Sequence, residues 1–468
     1  MNLMPRKKSG NREATAAGEP EEEYDPHLYR KVPHPTSNSE TLAHLLKGCL
    51  GTGILAMHEA FHNSGWLSGL VNMALIGFIC TYCFHILVRS QYILCKKHRV
   101  PLLSYPESMK LALQEGPSAV RWIAPSAVLI TDGFLIIYQL GVCICYIVFV
   151  AKNIHQILSV HEVNVDLKII MLVMFFPLLA LNCLRNLKVL APFSTLGNED
   201  LISYRLVQFK TFFVVANAFM FIGLGFVLYY VFQDLPDFST VRAVAPIDRF
   251  PLYFGTVLFA LEAVGVVIAL ENNMEQPKSF GKTCGVLNIG MTIVTAMYAF
   301  VGFFGYWKYG ADSKDSITLD MPREGLIPEA TRLIFSSAIF ISFALQCYVP
   351  IQIIWDNYMS DKIKNSEGST RYNLMLRVVT TIFTFLVAAA VPELGLFISL
   401  FGAFCLSILG LAFPALMELC VLWPDKLGPF KWVMWKDIGL VIFALVGLVS
   451  GTYSSLISII ASFDKPTS

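Results

Sequence analysis

Residues Thr41 to Trp66 read TLAHLLKGCLGTGILAMHEAFHNSGW. The stretch is apolar enough to cross a bilayer, and about 20 helical residues at ~1.5 Å rise span the hydrocarbon. Yet Gly51-Thr52-Gly53 sits in its middle, with His44 and Lys47 before it and His58 and Glu59 after it. Glycine lowers the cost of unwinding a helix, and unwound backbone is tolerated at membrane depth only where it faces protein or a water-filled cavity. Ionisable groups at that depth are costly and default to a functional reading. The competing reading is a kinked helix whose polar residues snorkel to the surface. A span that carries both features is a poor anchor and a good binding element.

The rest of the chain supplies a membrane setting. It has 468 residues, 55% apolar, 13% aromatic and 15% charged, which fits a polytopic membrane protein rather than a soluble one. A net charge of +1 without a long basic run argues against nucleic acid as a partner. The eleven cysteines fall in or at the ends of spans, apart from Cys284, and are expected as reduced thiols that pack as small apolar groups.

Residues 1–39 mix charges and prolines and read as a disordered cytoplasmic tail, followed by a transmembrane domain over 40–462 and a short extracytosolic tail over 463–468. Beyond the opening stretch, spans are expected at Trp66 to Leu94, Trp122 to Val150, Val165 to Leu184, Val207 to Phe232, Leu252 to Met274, Gly285 to Tyr309, Ala330 to Trp355, Tyr372 to Val391, Leu394 to Leu419 and Ile438 to Ser462. The fold class is therefore all-α with eleven transmembrane helices. Between the second and third spans, Ser104-Tyr105-Pro106-Glu107 reads as a helix start, opening a short amphipathic piece along the membrane face. Lys and Arg outnumber their counterparts on the other side about two to one when the amino terminus is taken as cytoplasmic, as for Lys96, Lys97 and Arg99 after the second span.

The sixth span, PLYFGTVLFALEAVGVVIALENNM from Pro251, echoes the first: small residues near its middle and an acid, Glu262. Interrupted hydrophobic segments at corresponding positions of two halves point to an inverted-repeat transporter with its site at the midplane. Ordinary helix packing through small residues is the plainer alternative for the sixth span taken alone.

At this point the residues resemble a known family. His44-Leu45-Leu46-Lys47-Gly48-x-x-Gly51-Thr52-Gly53-Ile54-Leu55, Phe259-Ala260-Leu261-Glu262-Ala263-Val264-Gly265, Leu270-Glu271-Asn272-Asn273-Met274, Gln346-x-Tyr348-Val349-Pro350 and Leu394-Gly395-Leu396-Phe397 resemble the amino acid/auxin permease family, with the closest likeness to animal proton-coupled amino acid transporters of the insect type. The resemblance runs from about Tyr24 to the last span. It implies a five-plus-five inverted repeat with broken helices 1 and 6 and an eleventh helix, and symport of small neutral amino acids driven by protons. The plasma membrane or an endolysosomal membrane is the expected location, with lipid as the surroundings, no cofactor, the proton as coupling ion, and oligomeric state left open.

The chemistry of an amino acid site follows alongside. A zwitterion's carboxylate needs donors, and unwound Gly51, Thr52 and Gly53 offer amides at the start of a half-helix whose dipole end favours an anion. Its ammonium needs acceptors, which free carbonyls near Phe259, Ala260 and Leu261 could offer, while Ala263 and Gly265 set the room. Where the family commonly has glycine, this chain has Ala263. His44 matches the family's first-helix histidine and titrates in the useful range; Glu262 is the other candidate proton carrier, as a carboxyl enclosed by apolar groups. Structural roles, a helix-to-helix hydrogen bond or a satisfied histidine, compete for both.

Two departures stand out. His58 replaces the family's usual proline, removing a constraint on the bend and adding a titratable group next to Glu59. Gly197 to Val215, GNEDLISYRLVQFKTFFVV, interrupts the fifth helix with Glu199, Asp200, Arg205 and Lys210 and reads as a retained intron or a gene-model error, or else as an enlarged loop before a replacement helix from Val207. An amino acid sensor with little flux and a sodium-coupled transporter are the alternative functions. An enzyme is disfavoured because no metal-ligand cluster or nucleophile-base pair stands out.

Overall fold

The computed structural model describes residues 24–30, 32, 35–49, 51–183, 218–359, 361–364, 368–391 and 393–463. Their regular structure is helical, apart from one isolated bridge between Thr36 and Met274. Eight helical segments are long and apolar enough to cross a membrane: Trp66–His98, Ala124–Val160, Ile247–Asn273, Val286–Asp312, Leu326–Tyr358, Ser369–Ala390, Leu394–Val421 and Pro429–Phe463. Leu167–Cys183 and Ala218–Val231 are shorter apolar helices. The opening stretch is divided into Asn38–Cys49, Thr52–Leu55 and Met57–Ser64. The insertion at 197–215 and the junctions expected around it lie outside the described residues.

The helix Ala127–Val160 is the mast of the bundle: Gly141 through Ala151 are buried without a break. It runs ten residues past the expected end at Val150, because Asn153 and Gln156 are buried and bonded, Asn153 to the Phe149 carbonyl and Gln156 to the Leu319 carbonyl at 3.1 Å. The last helix and Ser369–Ala390 instead expose Val446, Val449, Ile460, Val379, Phe383 and Leu386, the apolar belt that lipid would solvate. The expected helix start at Ser104 is formed, with a capping box between Ser104 and Glu107. Its helix, Tyr105–Glu115, buries Tyr105, Met109, Ala112 and Leu113 and ties in through the Tyr105 hydroxyl, which donates to the Leu409 carbonyl at 2.6 Å. All eleven cysteines are free thiols; nine are buried, Cys183 is half-buried and Cys284 is exposed.

The expectation of a disordered tail to Ser39 does not hold for residues 24–30. Asp25 caps the short helix Pro26–Tyr29, and Arg30 donates to Glu271 Oε1 at 2.9 Å beside His27 Nε2 at 3.2 Å. Arg30 and Glu271 are nearly enclosed, so removing either partner would strand a buried charge, a loss of about 3–5 kcal/mol. Lys278 meets Asp25 at 2.7 Å; burial pushes the Asp25 carboxyl up, but hydrogen bonds from Lys278 and the His27 amide hold it below the usual carboxylate range. These contacts span over two hundred positions of sequence, which is why composition alone read the segment as solvated.

The sixth span is divided into Phe250–Ala260 and Val264–Asn273. It crosses the first span with backbones in contact: a Cβ added at Gly53 would lie 2.7 Å from Ala260 Cα, and one at Gly48 would lie 2.9 Å from Val266 Cγ1. The helix from Leu394 also touches the sixth span closely, since a Cβ at Gly402 would lie 1.9 Å from the Gly255 carbonyl oxygen. There the regular α-helix gives way to a π-helical stretch, Gly402–Ala412, a local widening common at functional sites. It was expected as one regular span.

The crossing makes two neighbouring glycines unequal. Gly53→Ala is expected to destabilise the protein by about 1–3 kcal/mol through overpacking against a backbone atom that cannot rotate away. Gly51→Ala is expected to leave the thermal midpoint within about 1 °C, as the nearest foreign atom is Tyr146 Oη at 3.7 Å. Thermal unfolding of the two purified variants compares them directly; equal midpoints would contradict the packing described.

Candidate functional site

The first span ends its first half at Cys49 and restarts at Thr52, with Gly51 extended at φ −148°, ψ −155°. The N-cap of the turn Thr52–Leu55 is Gly51, which has no side chain to cap it, and no side-chain partner for its first amides is seen among the described residues. The Thr52 hydroxyl is likewise buried without a partner among the described residues. Gly51 has space on its side-chain face, as the Tyr146 contact above indicates.

In the sixth span the helix ends at Ala260, Leu261 closes the turn by donating to the Val257 carbonyl at 2.9 Å, and Ala263 is non-helical at φ −147°, ψ 7° before the chain coils again. The last carbonyls of Phe250–Ala260 therefore have no successors in the helix to bond. The Glu262 carboxylate turns back over the restart and accepts from the amides of Val264 and Gly265, as a capping group does. Tyr138 donates to its Oε2 at 3.4 Å. Gly265 is exposed and a Cβ built on it meets nothing within 4 Å, so one face of this break is open.

The structure thus brings Gly53 against Ala260, with Gly51 and Thr52 preceding it in the first break and Phe259, Leu261, Glu262 and Ala263 flanking Ala260 in the second. It does not bring His44 to that point. His44 is half-buried on the half-helix before the break, five residues before Cys49 and so roughly 7 Å along the axis, near Glu40 and Lys47 of its own helix.

Three tyrosines join the site that no sequence signal had marked. Tyr298 donates to the Cys49 carbonyl, the last residue of the first half-helix. Tyr138 holds Glu262 and packs its ring 5.9 Å from that of Phe259. Tyr146, eight positions along the same helix, faces Gly51 and accepts from Gln346 Nε2 at 3.5 Å. The spacing of eight that places Tyr138 and Tyr146 on one stripe is visible in the sequence, but the stripe's direction is not. Two open clefts lie elsewhere, of about 270 Å³ beside Arg377 and about 420 Å³ beside Arg89, and neither is lined by a break residue.

Chemically, a helix start at Thr52 and a helix end at Ala260 meet at one crossing, an arrangement suited to a small molecule with a charge of each sign. Comparison with known proteins agrees with such a cargo. Residues 34–460 match the family described as "Transmembrane amino acid transporter protein". The chain is 38% identical over 464 residues to the "Proton-coupled amino acid transporter-like protein pathetic" of Drosophila melanogaster, covering 99% of this chain and 93% of that one. It is 27% identical over 450 residues to the "Amino acid transporter AVT3C" of Arabidopsis thaliana, covering 92% and 93%. With its apolar helices, its two broken spans and this match over most of its length, the chain belongs to the transmembrane amino acid transporter family.

Proposed function

We propose that the protein carries small neutral amino acids across a membrane by alternating access, each accompanied by a proton. The observation that carries this reading is the crossing of the two broken spans, where free helix ends of opposite polarity meet beside open space at Gly51 and Gly265. The substrate carboxylate would take the amides of Gly51, Thr52 and Gly53, and its ammonium the carbonyls near Phe259, Ala260 and Leu261. Ala263 narrows the space left for the side chain, which favours small residues.

The name of the Drosophila relative speaks for proton coupling. Glu262 is the carrier we favour, because it lies at the break and is bonded to the half-helix that restarts there; losing or gaining a proton would change its hold on the Val264 and Gly265 amides. His44, on the inner approach, would pass the proton on. The architecture that goes with this reading is a five-plus-five inverted repeat with an eleventh helix over residues 40–462, the amino terminus in the cytoplasm, and the insertion at 197–215 in the fifth helix. Plasma or endolysosomal membrane suits it.

Uptake of labelled small neutral amino acids into proteoliposomes under an imposed pH gradient tests the proposal. Uptake is expected to rise when the outside is made acidic and to be unaffected when sodium is replaced by choline. Glu262→Gln is expected to remove the gradient-driven part while leaving the elution profile and thermal midpoint of the purified protein unchanged. Binding without uptake would replace the transporter by a sensor, dependence on sodium would replace the proton, and a fully gradient-driven Glu262→Gln would take Glu262 out of the mechanism.

A further inference from the structure

On the side of the crossing away from the amino terminus, the last part of the first span carries a second set of ionisable groups. His58, on Met57–Ser64, is fully buried, and its Nε2 lies 2.7 Å from Oδ2 of Asp320, whose side chain is only 3% exposed. The other ring nitrogen, Nδ1, is buried and has no partner among the described residues. Asp320 ends the short helix Ile317–Asp320 and also accepts from the Lys314 amide at 3.0 Å. That segment is held rigidly: Arg332, itself fully buried, donates to the carbonyls of Thr318, Met321, Pro322 and Arg323.

Glu59 follows directly and rests on the next element: a Cβ at Gly395 would lie 2.3 Å from its Oε2. Around it are Lys152 of the mast helix, Asp315, Asp320 and Glu393. Lys152 pairs with Asp315 and lies 3.8 Å from Glu393, and Asp315 Oδ2 accepts from the Leu394 amide at 3.2 Å. The groups facing His58 and Glu59 are therefore Asp320, Lys314 and Asp315 of the 313–320 segment, Tyr309 edge-on at 6.2 Å, Lys152, Glu393 and, behind the segment, Arg332, whose donors go to carbonyls. Four carboxyl groups, those of Glu59, Asp315, Asp320 and Glu393, stand around Lys152, while the Lys314 ammonium is spent on the Leu319 carbonyl and Arg332 on the carbonyls named above. Like charges at this separation and depth raise one another's cost, so the cluster is stabilised by each positive charge it gains. The ready place for that charge is the His58 imidazole, which already spends one nitrogen on Asp320 and keeps the other free.

We propose that His58 is a proton-binding site on the outer side and that its charging draws the outer half of the first span onto the 313–320 segment, closing the outer entrance. The proton comes from the outer solution and binds Nδ1, while the Nε2 proton stays in the bond to Asp320. The resulting imidazolium–carboxylate pair ties Met57–Ser64 to the segment that Lys152 and the Leu394 amide already tie to the mast and to the helix at Leu394. An open entrance would separate His58 from Asp320 and break that pair. The inference rests on the transporter reading for the words outer and entrance. It differs from the assignments to Glu262 and His44, which act at the crossing and inside it.

Electron spin distance measurements on the full chain in nanodiscs, with Cys284→Ser and labels at Asn63→Cys and Asp312→Cys, report the gap between the two elements without requiring transport. Across the range from about pH 7.5 to about pH 5.5, which brackets the imidazole, one linked proton permits the ratio of near to far population to rise by up to about tenfold per pH unit. That rise is expected in the labelled parent and is expected to be lost in His58→Gln and in Asp320→Asn, each of which keeps a hydrogen bond but not the ion pair. A variant that retains the parent's pH dependence overturns the proposal, as does a parent whose distances do not respond to acid. If the parent responds, the variants do not, and no amino acid is moved in proteoliposomes, the switch stands and the transporter reading fails.

Discussion

Gly53 lying on the backbone of Ala260 is the constraint on which the rest depends. Two membrane-depth segments can exchange helix ends with a shared ligand only if their axes come closer than side chains allow, and a missing Cβ is what permits that approach. Once the backbones touch, neither segment continues as a helix through the crossing. The first gives way after Cys49 and the sixth after Ala260, and the tight contact of Gly48 with Val266 holds Asn38–Cys49 against Val264–Asn273. The backbone groups released there are the unsatisfied donors and acceptors that a bilayer protein otherwise avoids.

What surrounds the crossing satisfies some of those groups and leaves others. Tyr298 takes the Cys49 carbonyl, and Glu262 takes the amides of Val264 and Gly265. The amides at Thr52 and the carbonyls around Phe259 have no side-chain partner among the described residues, one set at a positive helix end and the other at a negative one. Glu262 consequently has a structural task and a candidate chemical one in the same bond. A cap whose strength depends on a proton is a physical route from protonation to a change in the shape of the sixth span.

Much of this was legible in the residues. The breaks were visible because Gly51-Thr52-Gly53 and the Glu262 stretch contradict their apolar surroundings, and the capping box at Ser104 because its spacing is local. The amphipathic piece after it was read as lying on the membrane face, whereas four of its apolar residues are buried in the bundle. What could not be read were pairings of residues far apart in sequence: Arg30 with Glu271, Lys152 with Asp315, His58 with Asp320, Tyr138 with Glu262. Lys152 lies beyond the expected end of its span at Val150, since hydropathy falls before the helix does. Periodicity gives a face; it does not say which face of which partner meets it. His58 was recognisable as a departure, and only the position of Asp320 gives it a partner.

In the proposed function the two breaks recognise the two charges of one molecule. The direct measurement is equilibrium binding to the purified protein of a small neutral amino acid, of the amine that lacks its carboxylate, and of the acid that lacks its amino group. Each charged hydrogen-bonding end contributes enough that losing either should weaken binding by at least about tenfold. An analogue lacking one end that binds within about twofold of the parent amino acid would contradict the account.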